Sequence, residues 1–224
     1  MQPPSDSTKP FTAVVAGATG ATGRWIVGEL VNRPECEKVV ALTRSDIKPE
    51  ETFPSADKDK IPTKLVVEKV DWERIKQTNE LPKSATNGVS VAFCAMGSAP
   101  CSEEADVVLP IAFGQACKKA GIESMFLVSA RGASAGSWLF IADALGRRED
   151  AFKAMNFSRL GIYRPMMMDR QEKRRSKEIL GLILPSCWVI DTRDIARVMV
   201  EHAIKLKDGL HEVSHAAMKK FVGK

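Results

Sequence analysis

Tyrosine is almost absent from this chain, which has one, Tyr163, among 224 residues, and aromatic residues make up 6% of it. No apolar run approaches the ~20 residues of a membrane-spanning helix, so we expect no membrane span. The first segment, MQPPSDSTKPF, lacks the apolar core of a signal peptide. The basic residues are not interleaved with aromatics, which argues against nucleic acid as a partner.

Cysteine and histidine are also sparse. Five cysteines are scattered without a Cys-x-x-Cys pair, and the three histidines, His202, His211 and His215, lie near the C-terminus. This pattern predicts reduced thiols in a cytoplasmic protein, no metal site and histidines on the surface. The net charge of +5, from 33 basic and 28 acidic residues, is a mild excess that suits an anionic cofactor.

Apolar β-type runs alternate with helix-like stretches along the chain. Strands are predicted at 11–16, 38–42, 65–70, 89–95, 124–129 and 160–163, with helices at 23–32, 106–120, 138–155 and 193–206. Strands that are apolar on both faces and alternate with helices indicate a parallel sheet covered on both sides. The predicted fold is therefore α/β, a Rossmann-type doubly wound parallel sheet with a small C-terminal cap.

A glycine-rich turn, in AVVAGATGATGRWIVGEL, joins the first predicted strand to the first helix. Its glycines, Gly17, Gly20 and Gly23, permit a tight turn and bring backbone N–H groups at a helix start close to a pyrophosphate. The alternative is a turn that is merely tight. We expect cofactor contacts from the whole stretch of Gly17, Ala18, Thr19, Gly20, Ala21, Thr22, Gly23 and Arg24.

The residues after the second strand favour NADPH over NADH. A NAD-selective site usually has an acid there, about 20 residues past the glycines, but this chain reads LTRS, with Arg44. Together with Arg24 it would suit a 2′-phosphate, and Arg44 could also stack on adenine. The alternative for Arg24 is an ordinary surface arginine in the first helical turn.

Further cofactor contacts are expected after three later strands. Asp71 and Trp72 are both expected to contact the cofactor. Asp71 is placed to accept from the adenine amino group or to cap the following helix, and both can hold. The run of Ala95, Met96 and Gly97 would lie along the cofactor or form a plain loop. Pro165 and Met166 are predicted to line the nicotinamide pocket, although methionine is equally a core gap-filler.

Several stretches together resemble one known family. VVAGATGATGR, TRS, VDW, FCAMG, LVSARGA, YRPMMMDRQEKR and HEVSHAAMKKFVGK occur in the order and spacing of the Tat-interacting-protein oxidoreductase-like family, atypical short-chain dehydrogenase/reductases. The resemblance covers nearly the whole chain. It implies a single NAD(P)-binding domain over 11–224 after a disordered tail at 1–10, with 166–192 as a cap on the substrate or partner side.

The resemblance also exposes a gap in the chemistry. The wider superfamily uses a Tyr-x-x-x-Lys pair, and counting back from Arg164–Pro165 puts Ile141 and Leu145 at these two places. Neither can transfer a proton. Ser129 is a predicted cofactor contact and the candidate for the third catalytic place, which Ala130 could hold instead. A locally satisfied hydroxyl is the alternative for Ser129.

The function expected from these residues is therefore an NADPH-binding protein that senses the cofactor or regulates a partner. The alternative is an NADPH-dependent oxidoreductase for a small carbonyl compound with a different proton donor: Ser129, Asp143 or water. A protein partner would dock on the cap or on the basic cluster Lys173–Lys177, which is otherwise a solvated face. The chain is expected to be a monomer or a homodimer.

Overall fold

Seven parallel strands form the central sheet of the protein, whose computed structural model describes residues 10–170 and 186–223. The spatial order of the strands is β3-β2-β1-β4-β5-β6-β9. In chain order they are β1 (Phe11–Ala16), β2 (Cys36–Thr43), β3 (Leu65–Lys69), β4 (Val89–Cys94), β5 (Ser124–Val128), β6 (Arg159–Arg164) and β9 (Gly209–Ser214). Two short strands, β7 (Met167–Asp169) and β8 (Val189–Asp191), pair separately in parallel.

Helices cover both faces of this sheet. In the described residues they are α1 (Gly23–Asn32), α2 (Pro49–Thr52), α3 (Ile61–Lys64), α4 (Trp72–Thr78), α5 (Leu109–Lys119), α6 (Phe140–Ala154), α7 (Thr192–Lys205) and α8 (His215–Phe221). One apolar core lies between the sheet and α1, α7 and α8, and a second lies under α4, α5 and α6. The predicted doubly wound Rossmann-type fold is thus confirmed.

The central strands explain why the sheet is parallel and internal. In β1, Ala13 to Ala16 are fully buried, so both faces of this strand pack against apolar side chains. β1 pairs in parallel with β2 on one side and β4 on the other. The strand order reverses its direction between the neighbouring strands β1 and β4. Ligands of such sheets bind beside this point, at the carboxyl ends of the strands.

Some predicted boundaries were wrong. The long loop predicted between β2 and β3 contains the short helices α2 and α3, and the predicted helix at 138–155 begins two residues later, at Phe140. The last strand and helix, β9 and α8, were not predicted. Residues 1–9 of the predicted disordered tail, which was placed at 1–10, lie outside the described residues. Residues 171–185 of the predicted cap, including the cluster Lys173–Lys177, also lie outside them.

Candidate functional site

The glycine turn adopts the geometry that its residues predict. Gly17 has a φ of +73°, and a Cβ there would lie 2.5 Å from the Ala95 carbonyl oxygen. A Cβ on Gly23 would lie 2.0 Å from the Gly17 carbonyl oxygen, so both positions exclude any side chain. Among the described residues, the N–H groups of Ala21, Thr22 and Gly23 have no backbone acceptor. The turn therefore presents unpaired donors where α1 begins.

Arg44 lies directly after β2, at the carboxyl edge of the sheet. It is exposed, and none of the described residues forms an ion pair or side-chain hydrogen bond with it. Asp71 caps α4, since one of its carboxylate oxygens accepts from the N–H groups of Glu73 and Arg74, at 2.9 and 3.3 Å. The capping alternative for Asp71 is thereby confirmed, and its other oxygen takes no part in the cap.

Trp72, a predicted cofactor contact, has its side chain in the core. Its indole is buried and packs edge-on against Phe113, with 6.5 Å between the ring centroids. A large apolar ring gains more from burial in the core than from contact with a polar ligand. The cofactor contact of Trp72 stays a prediction, to be made by its backbone.

The run of Ala95, Met96 and Gly97 follows β4 and lies against the glycine turn. Arg148, on α6, holds this run from below: its guanidinium donates to the Met96 carbonyl at 3.2 Å and to the Val128 carbonyl at 2.7 Å. Burial lowers the pKa of this guanidinium. Arg148 thus ties together the carboxyl ends of β4 and β5, a role that local sequence pattern did not reveal.

Ser129 has a structural environment. It is buried after β5, and its hydroxyl donates to Glu149 with 2.5 Å between the oxygens. The Glu149 carboxylate, 2% exposed, also pairs with Arg164, which in turn contacts Glu212 at 3.0 Å. The Ser129 hydroxyl therefore has a distant, buried partner rather than the local one that the sequence suggested, and its catalytic role stays a prediction.

The residues at the positions of the superfamily's Tyr-x-x-x-Lys pair lie on α6. Ile141 is 54% exposed in the first turn of the helix, whereas Leu145 is buried. Asp143, between them, accepts from the Gly136 N–H and pairs with Arg147, both at 2.8 Å. Tyr163 lies inside β6 as predicted, and its hydroxyl is 3.0 Å from Nδ1 of His202 on α7.

A cleft opens beyond the carboxyl ends of β6 and β9, with a volume of about 1220 Å³. Met166, predicted at the nicotinamide end, lines it together with Arg131, and the Arg131 N–H donates to the Pro165 carbonyl at 2.7 Å. His215 is buried behind the cleft, which corrects its predicted place on the surface. Its Nδ1 accepts from the Met166 N–H at 3.1 Å, and its Nε2 lies 2.8 Å from the Cys187 carbonyl.

The glycine turn also touches the segment that follows β6. Thr22 directs its hydroxyl at the sulfur of Met168, 3.9 Å away, and Arg24 donates to the Arg170 carbonyl at 3.3 Å. The Arg24 guanidinium also lies 5.4 Å from the centroid of the Trp25 ring. The predicted pyrophosphate site and the start of the predicted cap are therefore in direct contact.

Two kinds of site have no counterpart within residues 10–170 and 186–223. This part of the chain contains no group of three or more histidine, cysteine or acidic side chains placed to hold a metal ion. None of its helices is long and apolar enough to cross a membrane. Cys94 and Cys101 are not activated thiols, since burial raises the pKa of Cys94 and raises that of Cys101 to about 11.

Known proteins resemble the chain over most of its length. No family model matches it. The rat protein HTATIP2 is 24% identical over 216 residues, covering 89% of this chain and 84% of the relative. "Protein FMP52-1, mitochondrial" of Scheffersomyces stipitis is 29% identical over 172 residues, covering 76% and 73%. Because this relative is named as mitochondrial, the cytoplasmic location stays a prediction.

Solved structures agree with the fold. UDP-glucose 4-epimerase from Bifidobacterium longum, in complex with NAD+ and UDP, superposes with a TM-score of 0.68 at 10% identity, covering 91% of this chain and 77% of the epimerase. At that identity the likeness shows the fold alone. The sequence relatives agree with the resemblance that the motifs indicate: the chain is similar to HTATIP2 and FMP52, and its fold is of the Rossmann type, like that of the epimerase solved with NAD+.

Proposed function

We propose that this protein binds NADPH and acts as a cofactor sensor or regulatory binding protein. The glycine turn is the observation that carries the proposal. Side chains are excluded at Gly17 and Gly23, and the N–H groups at the start of α1 have no backbone acceptor among the described residues. This combination suits a pyrophosphate, which accepts hydrogen bonds and is stabilised by the helix dipole.

The preference for NADPH rests on Arg44. In this fold the adenosine ribose lies at the end of the second strand, and Arg44 follows Thr43, the last residue of β2. Its guanidinium has no described partner to compete with a ligand phosphate. Arg24 supports this preference less directly, because its guanidinium already contacts Trp25 and the Arg170 carbonyl.

The remaining predicted contacts fit a cofactor that runs along the carboxyl edge of the sheet. The run of Ala95 to Gly97 lies beside the glycine turn, and Pro165 and Met166 follow β6. The nicotinamide end would therefore face the cleft. When bound, NADPH would supply a hydride. The role of Ala95 to Gly97, Pro165 and Met166 would be to bind and orient the cofactor.

The regulatory role rests on the residues beside that end. Ile141 and Leu145 carry no transferable proton, and the other two candidate donors are engaged: Ser129 with Glu149, and Asp143 with Gly136 and Arg147. The alternative of a carbonyl reductase with Ser129 or Asp143 as proton donor is therefore less well supported. Contacts from Thr22 and Arg24 to the segment after β6 provide a route by which cofactor occupancy would alter the cap.

The NADPH preference is tested with Arg44→Gln. Hydrogen bonds to charged groups contribute about 1.5–3 kcal/mol, so the Kd for NADPH should rise by roughly 10- to 100-fold while the Kd for NADH stays within twofold. Lys83→Gln is the matched control, since Lys83 precedes β4 at the opposite edge of the sheet. Equal losses for both cofactors would contradict the role of Arg44.

The absence of carbonyl reduction is tested by NADPH oxidation with a panel of aldehydes and ketones. The wild-type protein should show no turnover above the rate without protein. The double variant Ile141→Tyr, Leu145→Lys restores the two superfamily residues and serves as the comparison. Turnover by the wild type that disappears in Ser129→Ala would overturn the regulatory proposal and establish the alternative.

A further inference from the structure

The cleft beyond β6 and β9 has an excess of positive charge. Among the described residues, its basic side chains are Arg131, Arg164, Lys219 and Lys220, and its one acidic side chain is Glu212. Glu212 is already paired, because its carboxylate contacts Arg164 at 3.0 Å and Lys153 at 2.8 Å. The acidic residue therefore does not neutralise the other cations of the cleft.

These cations are not equivalent. Arg164 is neutralised by buried Glu149, and Lys219 donates to the Val189 carbonyl at 3.2 Å. Arg131 and Lys220 have no carboxylate partner among the described residues; the Arg131 guanidinium contacts only the Met166 sulfur, at 2.9 Å. Two cations on one concave surface without counter-charges attract an anion from solution.

Part of the lining is apolar, and hydrogen bonds hold two of its stretches in place. Met166, Trp188, Val213 and Ala216 contribute apolar surface. His215 fixes two of the walls, because its ring nitrogens bond the backbone of Met166 and of Cys187. A concave apolar wall with a few convergent polar groups is typical of a small-molecule site.

We propose that this cleft binds a small organic anion, a carboxylate or phosphate group attached to an apolar body. Arg131 and Lys220 contact the anionic group, and Met166 and Trp188 contact the apolar body. The ligand is an effector that lies beside the nicotinamide end of the cofactor, and this placement rests on the proposed function. Binding of the anion itself requires only the cleft.

The test uses calorimetric titration of the full chain with octanoate, octyl phosphate and the uncharged octanol. At least one anion should bind roughly fivefold more tightly than octanol, since hydrogen bonds to charged groups exceed neutral ones by about 1 kcal/mol. The better of the two anions identifies the ligand as a carboxylate or a phosphate. Equal affinity for octanol, or no binding of either anion, would overturn the proposal.

Two variants locate the site. Arg131→Gln and Lys220→Gln should each weaken the better anion by about threefold, because both side chains are exposed and solvent screens their charges. Lys83→Gln, which removes a charge at the opposite edge of the sheet, should change nothing. Unchanged affinity in the Arg131→Gln, Lys220→Gln double variant would place the anion elsewhere and refute the assignment.

Titration of the same preparations with NADPH separates this inference from the proposed function. NADPH binding without anion binding would refute the anion cleft and leave the cofactor site intact. Anion binding without NADPH binding would support the cleft and refute the cofactor proposal. Raising the salt concentration should weaken the anion more than octanol, since only the charged contact is screened.

Discussion

Glu149→Gln should destabilise the protein more than any single change at its surface. The carboxylate is 2% exposed and is bonded by Ser129 and by two nitrogens of Arg164. Removing one partner of a buried ion pair costs about 3–5 kcal/mol. Arg164 is 27% exposed and keeps Glu212, so solvent and the second partner offset part of the loss. We therefore expect a loss of about 2–3 kcal/mol in the free energy of unfolding.

Urea unfolding, followed by circular dichroism, measures this loss of free energy. In a thermal unfolding experiment the melting temperature should fall by roughly 5–10 °C. Glu80→Gln is the control, because Glu80 and its partner Lys119 are both 55% exposed and the pair should contribute nothing measurable. A change for Glu149→Gln no larger than for this control would refute the reasoning. The substitution should also cost less stability in an Arg164→Met background, where the ion pair is already broken. An equal loss in the two backgrounds would refute the reasoning as well.

Two further predictions concern the turn and the pH dependence. Gly23→Ala should abolish NADPH binding and lower the free energy of unfolding, measured in urea, by about 1–3 kcal/mol or more, because its Cβ would lie 2.0 Å from the Gly17 carbonyl oxygen. Gly20→Ala, whose Cβ would lie 3.2 Å from the same oxygen, should lower both affinity and stability less. Burial lowers the pKa of His202, so its contribution to stability should be present above about pH 6.5 and be lost as the pH falls below that value. In urea unfolding between about pH 7.5 and 5, the free energy of unfolding of His202→Gln should therefore fall less toward acid pH than that of the wild type.

Much of the fold was predictable because its signals are local. The first strand and helix were predicted at their observed bounds, Phe11–Ala16 and Gly23–Asn32, since a buried apolar run and a helical stripe flank the glycines. The last strand, β9, was missed because it is an edge strand with mostly exposed residues, GLHEVS. Its place beside β6 depends on pairing between residues about 50 positions apart, which local periodicity cannot predict.

In the candidate site, too, the features set by neighbouring residues were predictable and those set by distant partners were not. The turn and Arg44 followed from the spacing of residues close together in the chain. The roles of Arg148 and Glu149 did not, because charged residues within a helix usually face solvent, and only their distant carbonyl and guanidinium partners make burial possible. The same holds for His215, whose ring partners Met166 and Cys187 are far away in sequence.

Calorimetric titration of the purified protein with NADPH and, separately, with NADH tests the central claim most directly. The account predicts saturable binding of NADPH at one site per chain and affinity for NADH weaker by roughly 10-fold or more, the difference made by one charge-assisted contact to the 2′-phosphate. Binding of neither dinucleotide would contradict the account and leave the glycine turn with a structural role only.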